Sequence, residues 1–236
     1  MTQLLLDIQP EQAPTLDNFV AGANGELVAR LGALAHPGNF DILYVWGPMG
    51  SGKSHLLAAA ALRAEARQPA HRPVIRLAGS DATESLSVPT GGLLVVDDVE
   101  ALSGEAQVAL FRIFNAARLI GLSLLLSGNE PPLRLALRED LRTRIGQSLA
   151  FEIRPLSDDE KSAALRRHAL QRGMRMDEGL VRYLLSRGRR DLPSLMAVLD
   201  SLDRASLEQQ RPATLPLLRE VMQLPLDASR DEARTV

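Results

Sequence analysis

The stretch DILYVWGPMGSGKS, residues 41–54, decides the fold. Asp41 to Trp46 reads as a buried strand, apolar from Ile42 onward. It leads directly into Gly47-Pro48-Met49-Gly50-Ser51-Gly52-Lys53-Ser54, and the alanine- and leucine-rich segment from Ser54 to Arg67 then reads as a helix. The bare pattern, GxxxxGK followed by Ser or Thr, arises by chance on the order of once per hundred chains of this length, so the strand before it and the helix after it make it specific.

The chemistry of such a loop requires each of its parts. Glycines let successive backbone N–H groups converge on phosphate oxygens, and the start of the helix adds its partial positive charge. Lys53 reaches the terminal phosphates, and the hydroxyl of Ser54 serves a Mg²⁺ ion. The implied ligand is ADP or ATP with Mg²⁺.

Working outward, Leu93 to Val96 is a second fully apolar strand, and it ends in Asp97-Asp98. A carboxylate at the C-terminal end of a neighbouring parallel strand faces the same crevice as the phosphate loop. Asp97 is the candidate to hold Mg²⁺ through water, and Asp98 the candidate to polarise an attacking water. Leu122 to Leu126 is a further apolar strand closed by Ser127-Gly128-Asn129, where Asn129 can reach the terminal phosphate. Ser-Gly-Asn is also a good turn, so its position after a strand is what gives it weight.

Val74 to Leu77 and Leu149 to Ile153 complete five strands, which alternate with helical segments at Asn24 to Ala35, Ser54 to Arg67 and Glu105 to Ile120. Apolar strands alternating with helices predict an α/β core with a parallel sheet covered on both faces. From Ser157 the pattern becomes helical only, opening on the capping box Ser157-Asp158-Asp159-Glu160 and punctuated by Gly173 and Gly188. The expected organisation is a peptide and linker at 1–14, a nucleotide-binding domain at 15–155, a small all-helical lid at 156–226 and a charged tail at 227–236.

The composition excludes several classes. No cysteine is present, so disulfides and thiolate chemistry are absent and a cytoplasmic location is expected. The four histidines are scattered without ligand spacing, and no stretch approaches the roughly 20 apolar residues of a membrane span. A net charge of −2 argues against a broad basic face gripping nucleic acid. Only Lys53 and Lys161 are lysine, and with so strong an arginine bias most arginines read as ordinary surface charges.

At the N-terminus, Gln3 to Ile8 (QLLLDI) is apolar and sits on the polar, proline-broken tether Gln9 to Pro14. It is too short for a secretory signal. Two readings stand: an edge strand packed on the core, or a peptide offered to a partner.

Taken together these segments resemble the AAA+ family of ATPases, and within it the bacterial replication initiator DnaA and its shorter relatives, over Thr15 to Leu224. TLDNFVAGAN at 15–24 resembles the family segment that lies over the adenine, which assigns Phe19, Val20 and Gly22 to the nucleotide. LFRIFNAAR at 110–118 and SGNEPP at 127–132 resemble the surroundings of its first sensor. Asp140-Leu141-Arg142-Thr143-Arg144 resembles the box whose last arginine enters the nucleotide site of a neighbouring subunit, so the resemblance makes Arg144 an arginine finger in trans. Arg190-Asp191-Leu192 resembles the second sensor, which assigns Arg190 to the nucleotide of its own subunit.

DnaA continues into a helix-turn-helix domain where this sequence stops, and QLLLDI stands in place of DnaA's N-terminal region. That layout resembles the Hda family, whose N-terminal QLxLxL peptide docks on the DNA polymerase III β sliding clamp. The resemblance implies Gln3, Leu4, Leu6 and Ile8 as clamp-binding residues. It further implies DnaA as a partner, with DNA met mainly through the clamp, and stimulated hydrolysis of DnaA-bound ATP that prevents re-initiation. The alternative is a homo-oligomeric AAA+ ATPase or helicase-loader-like protein in which Arg144 serves a second copy.

Overall fold

The computed structural model describes residues 13–66, 72–189 and 191–223. Along the chain two compact units meet between Pro155 and Leu156.

The first unit carries five strands, β1 (Ile42–Trp46), β2 (Val74–Ala78), β3 (Leu93–Asp97), β4 (Ser123–Gly128) and β5 (Leu149–Glu152). All pair in parallel, in the order β2-β3-β4-β1-β5. The expected α/β class with a five-stranded parallel sheet is therefore observed. Side chains alternate along each strand, so one face presents Leu43, Val45, Leu93, Val95 and Leu125 and the other Tyr44, Leu94, Val96, Leu124 and Leu126.

Helices α1 (Gly25–Leu34) and α2 (Lys53–Glu65) cover the first face with Leu27, Leu31, Leu56 and the buried alanines 59, 60, 61 and 64. The alanines bring the α2 backbone close to the sheet, because no longer side chain intervenes. Helices α3 (Gly104–Ala117) and α4 (Glu139–Gly146) cover the second face with Ala106, Leu110, Ile113, Leu141 and Ile145. The three central strands are the ones buried on both sides. The edges β2 and β5 are partly exposed, which departs from the expectation that all five are apolar on both faces.

Boundaries shift by up to three residues. The expected helix over 105–120 ends at Ala117, where Gly121 takes a left-handed turn (φ 64°) that lets the chain re-enter the sheet at Ser123. Helix α4 buries Leu141 and Ile145 and leaves Arg144 exposed at its C-terminal turn.

The second unit holds α5 (Asp158–Gln171), α6 (Glu178–Arg187), α7 (Leu192–Glu208) and α8 (Leu215–Gln223) around Leu165, Leu180, Leu184, Leu199, Leu202 and Leu218. Its start is the expected capping box: Glu160 N–H donates to Ser157 Oγ and Ser157 N–H to the Glu160 carboxylate. Asp177 and Asp191 cap α6 and α7 by a single bond each, accepting the N–H of Leu180 and of Ser194. Among the described residues no helix is long and apolar enough to cross a membrane.

Candidate functional site

Because the strands are parallel and β1 lies between β4 and β5, the turns leaving β1, β3 and β4 open at one end of the sheet. The phosphate loop leaves β1. Gly50 (φ 76°) and Gly52 (φ 97°) take left-handed conformations that other residues adopt at a cost, and Gly52 N-caps α2 with no side-chain cap. The first N–H groups of α2 are thus left for a ligand in place of a cap. Ser51 Oγ is buried and has no hydrogen-bond partner, as expected of a loop built around a group that supplies one.

The segment Thr15 to Phe19 packs on this loop. A Cβ at Gly52 would lie 2.8 Å from the Phe19 ring, and that ring also meets His55 at 5.9 Å between centroids. His55 Nε2 lies 3.1 Å from the Thr15 carbonyl, while Thr15 and Asn18 brace each other through reciprocal bonds of 2.9 and 3.1 Å. Val20 is half-buried and Gly22 opens a short 3-10 turn into α1, so Phe19 touches the loop most closely of the three.

Lys53 is buried. Its ammonium donates to the carbonyls of Gly47 (2.7 Å) and Pro48 (3.1 Å) and to Asn129 Oδ1 (3.1 Å). The structure therefore joins the phosphate loop to the turn after β4. Burial lowers the Lys53 pKa, and the carboxylates of Asp97, Glu100 and Asp98 oppose that shift.

Asp97 ends β3, and its carboxylate accepts a short hydrogen bond from Ser127 Oγ. The same oxygen of Ser127 accepts the Asp98 N–H at 2.9 Å. Ser127 thus fixes the acidic strand end and takes no part in the exposed rim. Asp98 is exposed and left-handed (φ 62°), with its carbonyl pressed so closely on Gly79 that no Cβ fits there. Asp97 and Ser54 are one carboxylate and one hydroxyl, and among the described residues no group of three or more His or acidic side chains could hold a metal. So sparse a set suits Mg²⁺, which keeps several waters and takes further ligands from phosphates. Bound there, the ion would neutralise phosphate charge.

Two participants escaped the sequence reading. Glu100 Oε1 accepts the Asn129 N–H (2.6 Å) and the Glu130 N–H (3.3 Å), and Tyr44 Oη donates to the Glu130 carbonyl (2.6 Å). Burial raises the pKa of both, with the backbone N–H of Asn129 opposing the shift at Glu100. The available signal was the third acid of the Asp97-Asp98-Val99-Glu100 run. Its target, 29 residues away, was not readable from spacing.

Arg144 lies on α4 with its side chain exposed and, among the described residues, without a side-chain partner. It shares a shallow surface depression with Arg138, Asp140, Thr143 and Gln147. Arg138 there is paired with Asp140 at 2.9 Å. Arg190 and the peptide residues Gln3, Leu4, Leu6 and Ile8 lie outside the described residues.

A strand, a phosphate loop, an acidic strand end and a polar turn on a 2-3-4-1-5 sheet, followed by a helical unit, define a P-loop nucleotide-binding protein of the AAA+ class. The family model for the bacterial DnaA ATPase domain matches residues 11–152, and the model for the Hda lid domain matches residues 158–222. The chain belongs to the DnaA-related AAA+ proteins, and its lid is of the Hda type. Its family places it in the regulation of DNA replication.

Solved structures share the fold at low identity. Domain III of DnaA from Thermotoga maritima is 18% identical with a TM-score of 0.73, over 91% of this chain and 98% of that one. AMPPCP-bound DnaA from Aquifex aeolicus is 21% identical with a TM-score of 0.66, over 83% and 68%. The Thermotoga maritima RuvB Holliday junction branch migration motor is 17% identical with a TM-score of 0.70, over 89% and 71%.

Proposed function

We propose that this protein is a nucleotide-bound regulator of replication initiation. It docks on the polymerase sliding clamp through Gln3, Leu4, Leu6 and Ile8 and promotes hydrolysis of DnaA-bound ATP through Arg144. The observation that carries the reading is Arg144 itself, a guanidinium exposed on α4 and free of side-chain partners among the described residues. An arginine tied to a neighbouring carboxylate, as Arg138 is to Asp140, is poorly placed to serve another molecule. The Hda-type lid supports the choice of DnaA as that molecule.

The protein's own site serves as a nucleotide sensor. Gly47 to Ser54 hold the phosphates, Asp97 and Ser54 the Mg²⁺, Phe19, Val20 and Gly22 the base side, Arg190 serves the nucleotide of its own subunit, and Asp98 and Asn129 face the terminal phosphate. AMPPCP-bound DnaA provides a nucleotide-bound relative of the same fold. The clamp peptide works by a glutamine amide that fixes orientation and apolar side chains that fill pockets. So short a segment binds modestly alone, and a second contact on clamp-bound DNA raises its effective affinity.

The test is hydrolysis of DnaA-bound ATP, with and without clamp loaded on DNA. Arg144→Ala is expected to keep nucleotide and clamp binding and lose stimulation, whereas Gln3→Ala is expected to weaken clamp binding. Stimulation retained by Arg144→Ala removes the finger assignment. Concentration-dependent ATP turnover by the isolated protein, with no effect on DnaA, would move the assignment to the homo-oligomeric ATPase.

A further inference from the structure

The phosphate loop and the acidic strand end account for Lys53, Asp97 and Asp98, but not for a third, half-buried acid. Glu100 lies in the 3-10 turn Val99–Ala101 and directs its carboxylate at the backbone of another strand end. Oxygen Oε1 accepts both N–H groups of the Asn129-Glu130 turn, at 2.6 and 3.3 Å. Hydrogen bonds to an ionised acceptor are shorter and roughly twice as strong as neutral ones, so this contact grips the turn.

The opposite side of the turn is gripped as well. Tyr44 on β1 donates its hydroxyl to the Glu130 carbonyl at 2.6 Å. Gly128 precedes the turn, and a Cβ there would meet the Tyr44 hydroxyl and lie 2.9 Å from each Glu100 carboxylate oxygen. Glycine at 128 is what lets the carboxylate and the phenol approach the same backbone. One polar side chain leaves the clasped turn toward the crevice: the Asn129 amide, which accepts from Lys53 Nζ at 3.1 Å.

We propose that Glu100 is a positioning residue of the nucleotide site, whose carboxylate clasps the Asn129-Glu130 turn and thereby sets the Asn129 amide beside the Lys53 ammonium. The role rests on the reading of this crevice as a nucleotide site and names the element that makes it sensitive to the terminal phosphate. Burial of Glu100, and the Asp98 side chain beside it, raise its pKa, and the N–H groups of Asn129 and Glu130 work against both, so the turn is what favours the charged carboxylate there. Backbone N–H groups of the phosphate loop can hold a diphosphate without Asn129, so loosening the turn weakens triphosphate binding selectively.

The experiment measures ADP and non-hydrolysable ATP affinity by calorimetry on the full chain, together with amide hydrogen exchange at Asn129 and Glu130. Glu100→Ala is expected to accelerate exchange at those two amides and to cut the ATP-to-ADP affinity ratio about tenfold, the equivalent of one charge-assisted hydrogen bond. Glu100→Gln, which keeps an acceptor oxygen but not the charge, is expected to change both in the same direction by a smaller amount. In an Asn129→Ala background, Glu100→Ala should no longer change the ratio, because the residue acts through Asn129.

An unchanged ratio in Glu100→Ala, or an equal loss in both Asn129 backgrounds, overturns the positioning role and leaves the nucleotide site standing. Equal weakening of ADP and ATP also overturns it, since that is the mark of a general structural defect. If Glu100→Ala does not fold, Glu100→Gln decides: faster exchange at the two amides together with a lower ratio supports the clasp, and wild-type exchange with a wild-type ratio overturns it. A wild-type chain that binds neither nucleotide removes the site and the clasp together.

Discussion

The two ends of the one sheet are built from the same residue types to opposite effect. At the N-terminal end, Arg72 is 1% exposed, and its guanidinium donates to the carbonyls of Leu34 (2.5 Å) and Gly91 (3.1 Å) and to Ser123 Oγ (2.8 Å). Ser123 Oγ in turn donates to the Asn39 carbonyl (3.2 Å) and accepts the Asp41 N–H (3.1 Å). Each nitrogen of that guanidinium has a partner. At the C-terminal end, Ser51 Oγ and Glu100 Oε2 are buried without one. Both ends bury charge, and both cations are desolvated, with the pKa lowered in each. The difference teaches that a closed network holds the sheet together, whereas the unpartnered Ser51 hydroxyl marks a loop shaped for a ligand.

Removing the saturated cation gives the largest expected change. Arg72→Ala leaves two carbonyls and a hydroxyl without their donor and opens a cavity, so stability should fall by about 3–4 kcal/mol in urea unfolding. Nucleotide affinity of the folded fraction should stay unchanged. A loss of affinity as large as the loss of stability would erase the distinction between the two ends.

Lys53→Ala inverts the pattern. Nucleotide affinity measured by calorimetry should drop about a hundredfold, because the buried ammonium is the cation nearest the phosphate loop. The melting temperature without nucleotide should fall less than in Arg72→Ala, since two of the three acceptors of the Lys53 ammonium, the Pro48 carbonyl and the Asn129 amide, belong to exposed residues that water can reach. A marked fall in that temperature would mean that Lys53 serves the fold as Arg72 does.

Gly128→Ala sharpens the comparison at an intermediate scale. The new methyl group meets the Tyr44 hydroxyl and the Glu100 carboxylate, and the forced shift should cost about 1–3 kcal/mol in thermal unfolding. It should also reduce the ATP-to-ADP affinity ratio, as Glu100→Ala does. A stable variant with an unaltered ratio would show that the clasp has slack.

Arg144→Ala is the smallest of the set in stability, within about 0.5 kcal/mol of wild type, because the side chain is exposed and unpartnered. Its effect belongs in trans, on DnaA-bound ATP. A large stability loss would place Arg144 with the structural arginines.

The arginines show how far reading the sequence alone can go. Treating them as surface charges suits Arg144 and fails for Arg72, whose partners lie 19, 38 and 51 residues away. The phosphate loop was legible because its eight residues are contiguous and their physics is local: left-handed glycines, a helix start and a lysine. The capping box at Ser157 was legible for the same reason. Asp97 and Asn129 were readable as strand-end candidates because parallel strands place such ends together.

The sequence by itself determined the parallel α/β core, the phosphate loop and the helical lid, since strand apolarity, glycine conformation and helix capping depend on neighbours a few residues apart. Only the tertiary structure decided that β1 lies between β4 and β5, and with it every contact that crosses the strands: Lys53 to Asn129, Ser127 to Asp97, Tyr44 to Glu130 and Glu100 to the turn it clasps. Strand order follows from how the whole set of apolar faces packs against the helices, a property of the closed core that no local window contains.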